Sequence, residues 1–307
     1  MLRMQSHTLA DGRGACAREV MVAGIRTGYL ESGEGPPLLL LHGNEGTAHD
    51  WDAIAPAMAP GHRVIALHLP GFGITDPLPD ARPERVAGFV WDFADTVGLG
   101  RPAVVGHSAG GLVALHAALQ QPARVPRLVL IASAGLGRLI DVALVLKART
   151  VLGDADALVR RLPGISEVSS LVLSAWYFRQ PWRVPLSAWA YRFSLGHSRQ
   201  FMEMSLQALR GSVGWTGQKS TVLPRLRELS MPVLVVWGAL DNVIPAWQGC
   251  HALRHLPDGR LQLIPVAGHM PHLEASAEVL EALRPFVNAG SGGKEAGWAR
   301  GIPSRAG

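Results

Sequence analysis

Apolar positions along the chain follow two rhythms. Short, largely apolar runs, such as Pro37-Leu38-Leu39-Leu40-Leu41, Arg63 to Leu69, Ala103 to Val105, Arg127 to Ser133 and Pro232 to Trp237, have the pattern of strands buried on both faces. Longer stretches repeat at about 3.6 residues; in Glu84 to Leu99 the apolar positions are Val86, Phe89, Val90, Phe93, Ala94 and Val97. Glu19 to Ala23 and Arg26 to Glu31 read as two short strands hinged at Gly24. Helices are expected at Trp51 to Ala59, Glu84 to Leu99 and Leu112 to about Gln121, and a last strand at Leu261 to Ile264. Strand and helix alternate from residue 37 to residue 133, which argues for a parallel sheet covered on both faces, the α/β class.

That alternation stops at Ala134-Gly135-Leu136-Gly137 and resumes at Pro232. Residues 136–228 read as helical and hold nine of the nineteen aromatic residues, so they form an insertion over the strand ends, where such sheets bind ligands. The resulting division is a loose arm at 1–18, a core at 19–135 and 229–287, the helical insertion at 136–228 and a disordered Gly/Ala/Ser-rich tail at 288–307.

Composition narrows the class. With 307 residues, 48% of them hydrophobic, the chain can bury one large core. There is no run of 18 apolar residues, so no membrane span is expected. Met1 to Cys16 shows no apolar stretch of a secretory signal, and two cysteines are too few for a disulfide framework, so the expected compartment is the cytoplasm. The net charge of +5 is unevenly placed. Residues 136–228 carry thirteen Lys and Arg against six Asp and Glu, a net +7, whereas 19–135 with 229–287 carry ten against sixteen, a net −6. Without a Lys/Arg-rich run or a recognition motif, that basicity does not point to nucleic acid.

Three strand ends carry chemistry. Gly106-His107-Ser108-Ala109-Gly110 lies between a strand and a helix, the setting in which a serine is held exposed on a sharp turn. Asp241 follows the strand ending at Trp237; there it could orient a histidine, or simply cap the next helix. His269 follows Gly268 beyond the strand Leu261 to Ile264 and could serve as general base. Ser108, Asp241 and His269 run in the order nucleophile, acid, base, each after a strand. His42-Gly43-Asn44 ends another strand, either as a connecting turn or as a loop aiming an N–H at an oxyanion.

Taken together, Leu-His-Gly-Asn at 41–44, Leu-Pro-Gly-Phe-Gly at 69–73, Gly-His-Ser-Ala-Gly-Gly at 106–111, Gly-Ala-Leu-Asp at 238–241 and Gly-His-Met-Pro at 268–271 resemble the α/β-hydrolase fold family over roughly residues 19–287. The resemblance implies a mostly parallel eight-stranded sheet with helices on both faces and a helical cap after the sixth strand. It also implies a Ser108–His269–Asp241 triad with the N–H groups of Asn44 and Ala109 as oxyanion hole. Within the family the chain looks like the capped esterases and meta-cleavage-product C–C hydrolases. Two features depart from the pattern. His68 stands where relatives usually have Asp, as a structural residue or an added titrating group. His-Gly-Asn resembles the loop of haloalkane dehalogenases, but their Asp nucleophile and following Trp are Ser108 and Ala109 here.

The expected activity is therefore cleavage of an ester or a C–C bond beside a carbonyl in a small, largely apolar substrate. No cofactor or metal is expected, because no His/Cys/Asp cluster has ligand spacing. His42 and His107 read as scaffold. Two other classes stay open: a cofactor-free oxygenase using the His–Asp pair, and a non-catalytic ligand-binding protein. Homo-oligomerisation also stays open. For a carboxylate-bearing substrate, the basic insertion suggests Arg179 and Arg183, with Trp176, beside its densest aromatic stretch.

Overall fold

The computed structural model describes residues 9–10, 15–159, 162, 164–195 and 198–289. Eight strands build the sheet: β1 (Cys16–Val22), β2 (Ile25–Ser32), β3 (Pro37–Leu41), β4 (Arg63–Leu67), β5 (Ala103–His107), β6 (Leu128–Ile131), β7 (Val233–Gly238) and β8 (Gly259–Ile264). Their spatial order is β1-β2-β4-β3-β5-β6-β7-β8, and a two-residue strand, Leu9–Ala10, adds a ninth at the β1 edge. Pairings β1·β2 and β2·β4 are antiparallel, and from β4 to β8 every pairing is parallel.

The largely apolar runs are explained by the side-chain period of two. Leu39, Leu41, Ile65 and Leu67 face one layer, with α1 (Pro83–Thr96) and α2 (Ala109–Gln120), where Phe93 and Leu115 are fully buried. Leu38, Leu40, Val64, Ala66, Leu234 and Val236 face the other, against Trp51, Ile54 and Phe286. Along the central strands β3 to β7 neither face meets water, so neither tolerates polar alternation.

Between β6 and β7 lie α3 (Val142–Arg149), α4 (Leu152–Val159), α5 (Ile165–Tyr177), α6 (Leu186–Leu195) and α7 (Arg199–Ser212), then a small hairpin of Val213–Gly214 with Gly217–Gln218. After β8 comes α8 (Ser276–Asn288). The single helix expected at Trp51 to Ala59 is instead a 3-10 turn, Ala48–Trp51, and a one-turn helix, Ala55–Met58. Thr47 caps the 3-10 turn by accepting from the His49 N–H at 3.2 Å, and Pro56 fits only in the first turn of the second piece. The arm and tail read from the sequence fall mostly on residues 1–8, 11–14 and 290–307, which lie outside the described residues.

Candidate active site

The turn after β5 sets the site. Ser108 has φ +50° and ψ −117°, a strained conformation for a residue with a side chain, and its N–H donates to Ile131 O at 3.0 Å. The flanking glycines are a steric requirement. A Cβ at Gly106 would stand 2.5 Å from Gly110 O, one at Gly110 would stand 2.5 Å from Leu41 O, and one at Gly111 would overlap the Ser133 side chain. Strand, turn and helix backbones are therefore close enough to lift Ser108 out of the sheet edge.

His269 reaches that serine from the loop after β8. Its Nε2 lies 3.0 Å from Ser108 Oγ and its Nδ1 lies 2.8 Å from Asp241 Oδ2. The Asp241 side chain is fully buried and saturated: Oδ1 accepts from the N–H groups of Val243 (2.8 Å) and Ile244 (2.9 Å), and Oδ2 also accepts from Trp237 Nε1 at 3.0 Å. The carboxylate is thus pinned before it meets the imidazole.

The histidine loop is held from three sides. The His269 N–H donates to Tyr177 O (2.9 Å), and the His269 carbonyl accepts from His107 Nε2 at 2.9 Å. Buried Glu274 accepts from the Gly268 N–H at 2.7 Å, and from the N–H groups of Arg179 (2.9 Å) and Gln180 (2.8 Å). Burial raises the Glu274 carboxyl above its ordinary range, against those three donors.

Ser108 and His269 open into a cavity of about 130 Å³. Core residues Leu112 and Val243 and inserted residues Ile140, Leu144, Met204 and Leu209 give it a mainly apolar wall. Gly43, Asn44 and Ala109 line it beside Ser108, and a Cβ at Gly43 would come within 3.1 Å of the Ser108 Cβ. Ala109 begins α2, so its N–H has no carbonyl one turn earlier in the helix to bond. Among the described residues, no group of three His, Cys, Asp or Glu side chains is arranged as metal ligands would be.

The sequence profile of the α/β hydrolase fold matches residues 36–276. The chain belongs to the α/β-hydrolase fold family. Its relatives include a 2-hydroxymuconate semialdehyde hydrolase of Pseudomonas sp. (strain CF600), 30% identical over 88% of this chain and 93% of that protein. A dihydrolipoyllysine-residue acetyltransferase component of the acetoin cleaving system of Pseudomonas putida is also 30% identical, over 93% of this chain and 74% of that protein. Among solved structures, a meta-cleavage product hydrolase from Pseudomonas fluorescens IP01 superposes with TM-score 0.75 at 22% identity, covering 88% of this chain and 97% of that one.

The three other residues singled out from the sequence are absent from the cavity lining. Arg179 is exposed and its Nε donates to Leu240 O at 2.9 Å. Arg183 pairs with Glu278 at 3.0 Å. Trp176 is 54% exposed and donates Nε1 to Asp141 Oδ2 at 2.8 Å. The segment 178–184 crosses the outside of the histidine loop, so its cations turn outward. Arg192 of α6 does line the cavity; it is buried, and its Nη2 pairs with Asp50 Oδ1 at 2.9 Å. Nothing in its local sequence sets it apart from the other twelve basic residues of the insertion.

The departure at His68 has a structural answer. His68 Nδ1 accepts from the Ala48 N–H at 3.2 Å, and a Cβ at Gly73 would overlap its ring. Burial drives its pKa down to about 3, so it is neutral at ordinary pH. His42 is similar: Nε2 accepts from the Leu69 N–H at 3.0 Å, Nδ1 donates to Gly43 O at 2.8 Å, and burial lowers the pKa to about 4.

Proposed function

We propose that this protein is a serine hydrolase that cleaves an ester, or a C–C bond beside a carbonyl, in a small and largely apolar substrate. The observation that carries the reading is the His269 ring, in hydrogen-bond reach of Ser108 Oγ and of a buried Asp241 at the wall of an apolar cavity.

The chemistry follows from those contacts. Ser108 Oγ attacks the carbonyl carbon while His269 Nε2 takes its proton. Asp241 holds Nδ1–H and stabilises the imidazolium. The N–H groups of Asn44 and Ala109 receive the oxyanion, each such donor being worth about 3–4 kcal/mol in the transition state. His269 then gives its proton to the departing alcohol oxygen or carbon. A water deprotonated by His269 attacks the acyl-enzyme and releases the acid and Ser108.

Residues 136–228 act in this reading as a cap over a core of residues 19–135 and 229–287, because their side chains close the cavity above Ser108. Arg192 is the cap cation that faces the substrate, in place of Arg179 and Arg183, and it suits a carboxylate on an otherwise apolar chain or ring. The names of related semialdehyde and meta-cleavage product hydrolases support a keto-acid as one such substrate. Cys16 and Cys250 are free thiols, in keeping with the cytoplasm. Among the described residues no helix is long and apolar enough to cross a membrane.

The test is labelling with a fluorophosphonate followed by peptide mass spectrometry, together with p-nitrophenyl acetate turnover under nitrogen. The adduct is expected on Ser108, with turnover independent of dioxygen. An unlabelled Ser108, or turnover that requires oxygen, overturns the reading.

A further inference from the structure

The residue after the proposed oxyanion donor Asn44 is Glu45, and its backbone is held at φ +56°, in the left-handed region. A residue with a long side chain is costly there and persists only where its surroundings fix it. The surroundings are the loop's own turn, closed by Gly46 N–H to Gly43 O at 3.2 Å, and the insertion. Glu45 Oε1 accepts from Lys147 Nζ of α3 at 2.9 Å and from Ser205 Oγ of α7 at 3.3 Å, and Oε2 lies 3.5 Å from the Tyr177 hydroxyl at the end of α5. Both ends of the Glu45–Lys147 pair are shielded, with side chains 12% and 14% exposed. Lys147 also reaches Asp156 Oδ2 of α4 at 3.1 Å. One carboxylate on the loop after β3 therefore ties together three elements of the insertion, and through Lys147 a fourth.

The same elements touch the rest of the site. Asn44 donates its side-chain Nδ2 to Ser205 O at 3.3 Å, and the Tyr177 carbonyl accepts from the His269 N–H. Tyr177 lines the cavity. Opening the cap at α3 or α7 would release the Glu45 side chain and leave its left-handed backbone to the turn bond from Gly46 N–H to Gly43 O (3.2 Å), one peptide away from the oxyanion donor.

We propose that Glu45 is a positioning residue that couples cap closure to the oxyanion hole. The shut cap, through Lys147, Ser205 and Tyr177, holds Glu45 in the strained conformation that aims the Asn44 N–H at the developing oxyanion. This rests on the serine-hydrolase reading above. Glu45 touches no reacting atom; it acts through Asn44. Because the ion pair is shielded from water, removing either partner leaves an uncompensated charge, so the link is costly to break once formed.

The test compares Glu45→Asn and Lys147→Met with the parent, after fluorophosphonate labelling of the parent has located the nucleophile. Asn tolerates a left-handed backbone but is too short to reach Lys147, so the loop keeps its shape while the link is cut. For a p-nitrophenyl ester, kcat is expected to fall by about tenfold to a hundredfold in each variant with KM changed less than about threefold. Affinity for a trifluoromethyl ketone, which needs the oxyanion hole, falls in step with kcat/KM, while affinity for the product acid holds. The double variant is no slower than the worse single one. Parent-like kcat in Glu45→Asn, equal losses for ketone and product acid, or additive losses in the double variant overturn the proposal. If Glu45→Asn does not fold, the ketone-against-acid comparison in Lys147→Met decides alone. A parent that does not label at Ser108 sinks the hydrolase reading instead, so the two failures are distinguishable.

Discussion

Asp50 and Arg192 form an ion pair across 142 residues of sequence, with side chains only 4% and 6% exposed and Nη2 to Oδ1 at 2.9 Å. It joins the 3-10 turn after β3 to α6. Burial pushes the Asp50 carboxyl above its usual range, and the guanidinium only partly offsets that. A pair of this kind is dear to break and cheap to replace as a unit.

Asp50→Asn is therefore expected to destabilise the fold by about 3–5 kcal/mol, because it leaves the buried Arg192 charge uncompensated. The double variant Asp50→Leu with Arg192→Met should recover most of that loss. Urea unfolding of the two variants measures both, and a double variant as unstable as Asp50→Asn would show that the pair itself, not the orphaned charge, carries the stability.

Ser108→Ala is expected to reduce ester hydrolysis to below about a hundredth of the parent rate with an unchanged fold. Asp241→Asn and His269→Ala should each cost about 10³–10⁴ in kcat, and combining them should cost little more. Asp241 accepts four hydrogen bonds, so Asn at that position must also turn its amide against a donor. Steady-state kinetics of the single and double variants are the check. A double variant slower by the product of the single losses would mean that the two residues do not work as a unit.

What the sequence disclosed and what it hid have a common physical origin. Leu38 to Leu41 and Val233 to Trp237 were readable as strands because burial on both faces forbids polar residues. That Ser108, Asp241 and His269 come together was readable because each lies on a loop within a few residues of a strand's carboxyl end, where a parallel sheet gathers its loops. Arg192, Glu45 and Glu274 gave no such signal. Their partners are Asp50, Lys147 and the Gly268, Arg179 and Gln180 amides, mostly far away in sequence, and periodicity assigns a residue to a face without naming what lies opposite. Aromatic density around Arg179 and Arg183 does not say which side chains face inward, for the same reason: Tyr177 lines the cavity while Trp176 and Trp182 are 54% and 77% exposed.

Four buried histidines set the response to acid. Burial lowers His42 to about 4 and His68 to about 3, and holds His107 and His272 well below the ordinary value of 6.5. The unfolded chain protonates them near 6.5 while the folded chain keeps them neutral, so stability is full above pH 6.5 and drains as the pH falls toward 4. His42 alone forfeits on the order of 3 kcal/mol over that span. Asp50 and Glu274, raised by burial, work in the opposite sense at the acid end and offset part of it. Denaturant unfolding between pH 7.5 and 4.5 should show the unfolded state taking up at least two more protons than the folded one, and His68→Asn should remove about one of them. Stability that stays flat from pH 7 to pH 5 would contradict the burial of these rings.

The cavity of about 130 Å³ beside Ser108 selects its substrate by its lining. Its wall is mainly apolar, with Asn44, His107, Ser108, Tyr177, Gln218 and His269 among its polar residues, and Arg192 brings a charge into that setting. Asp50 engages Nη2, and the Arg192 side chain also lines the cavity. A guanidinium with one edge committed to Asp50 and a donor left over can take a substrate carboxylate without breaking the pair. An aromatic ester or vinylogous keto-acid carrying a free carboxylate should accordingly be hydrolysed with higher kcat/KM than its methyl ester. Arg192→Gln should raise KM for the acid about tenfold, the worth of one hydrogen bond to a charged group, and leave the methyl ester unaffected apart from any loss of folded enzyme. Arg179→Gln and Arg183→Gln should change neither, because both cations are spent on Leu240 O and Glu278 at the surface. Measuring the acid and its methyl ester on the three variants separates the roles: equal kcat/KM for acid and ester in the parent would reduce Arg192 to a strut for Asp50, and a response at Arg179 would mean that the outer loop folds inward when substrate binds.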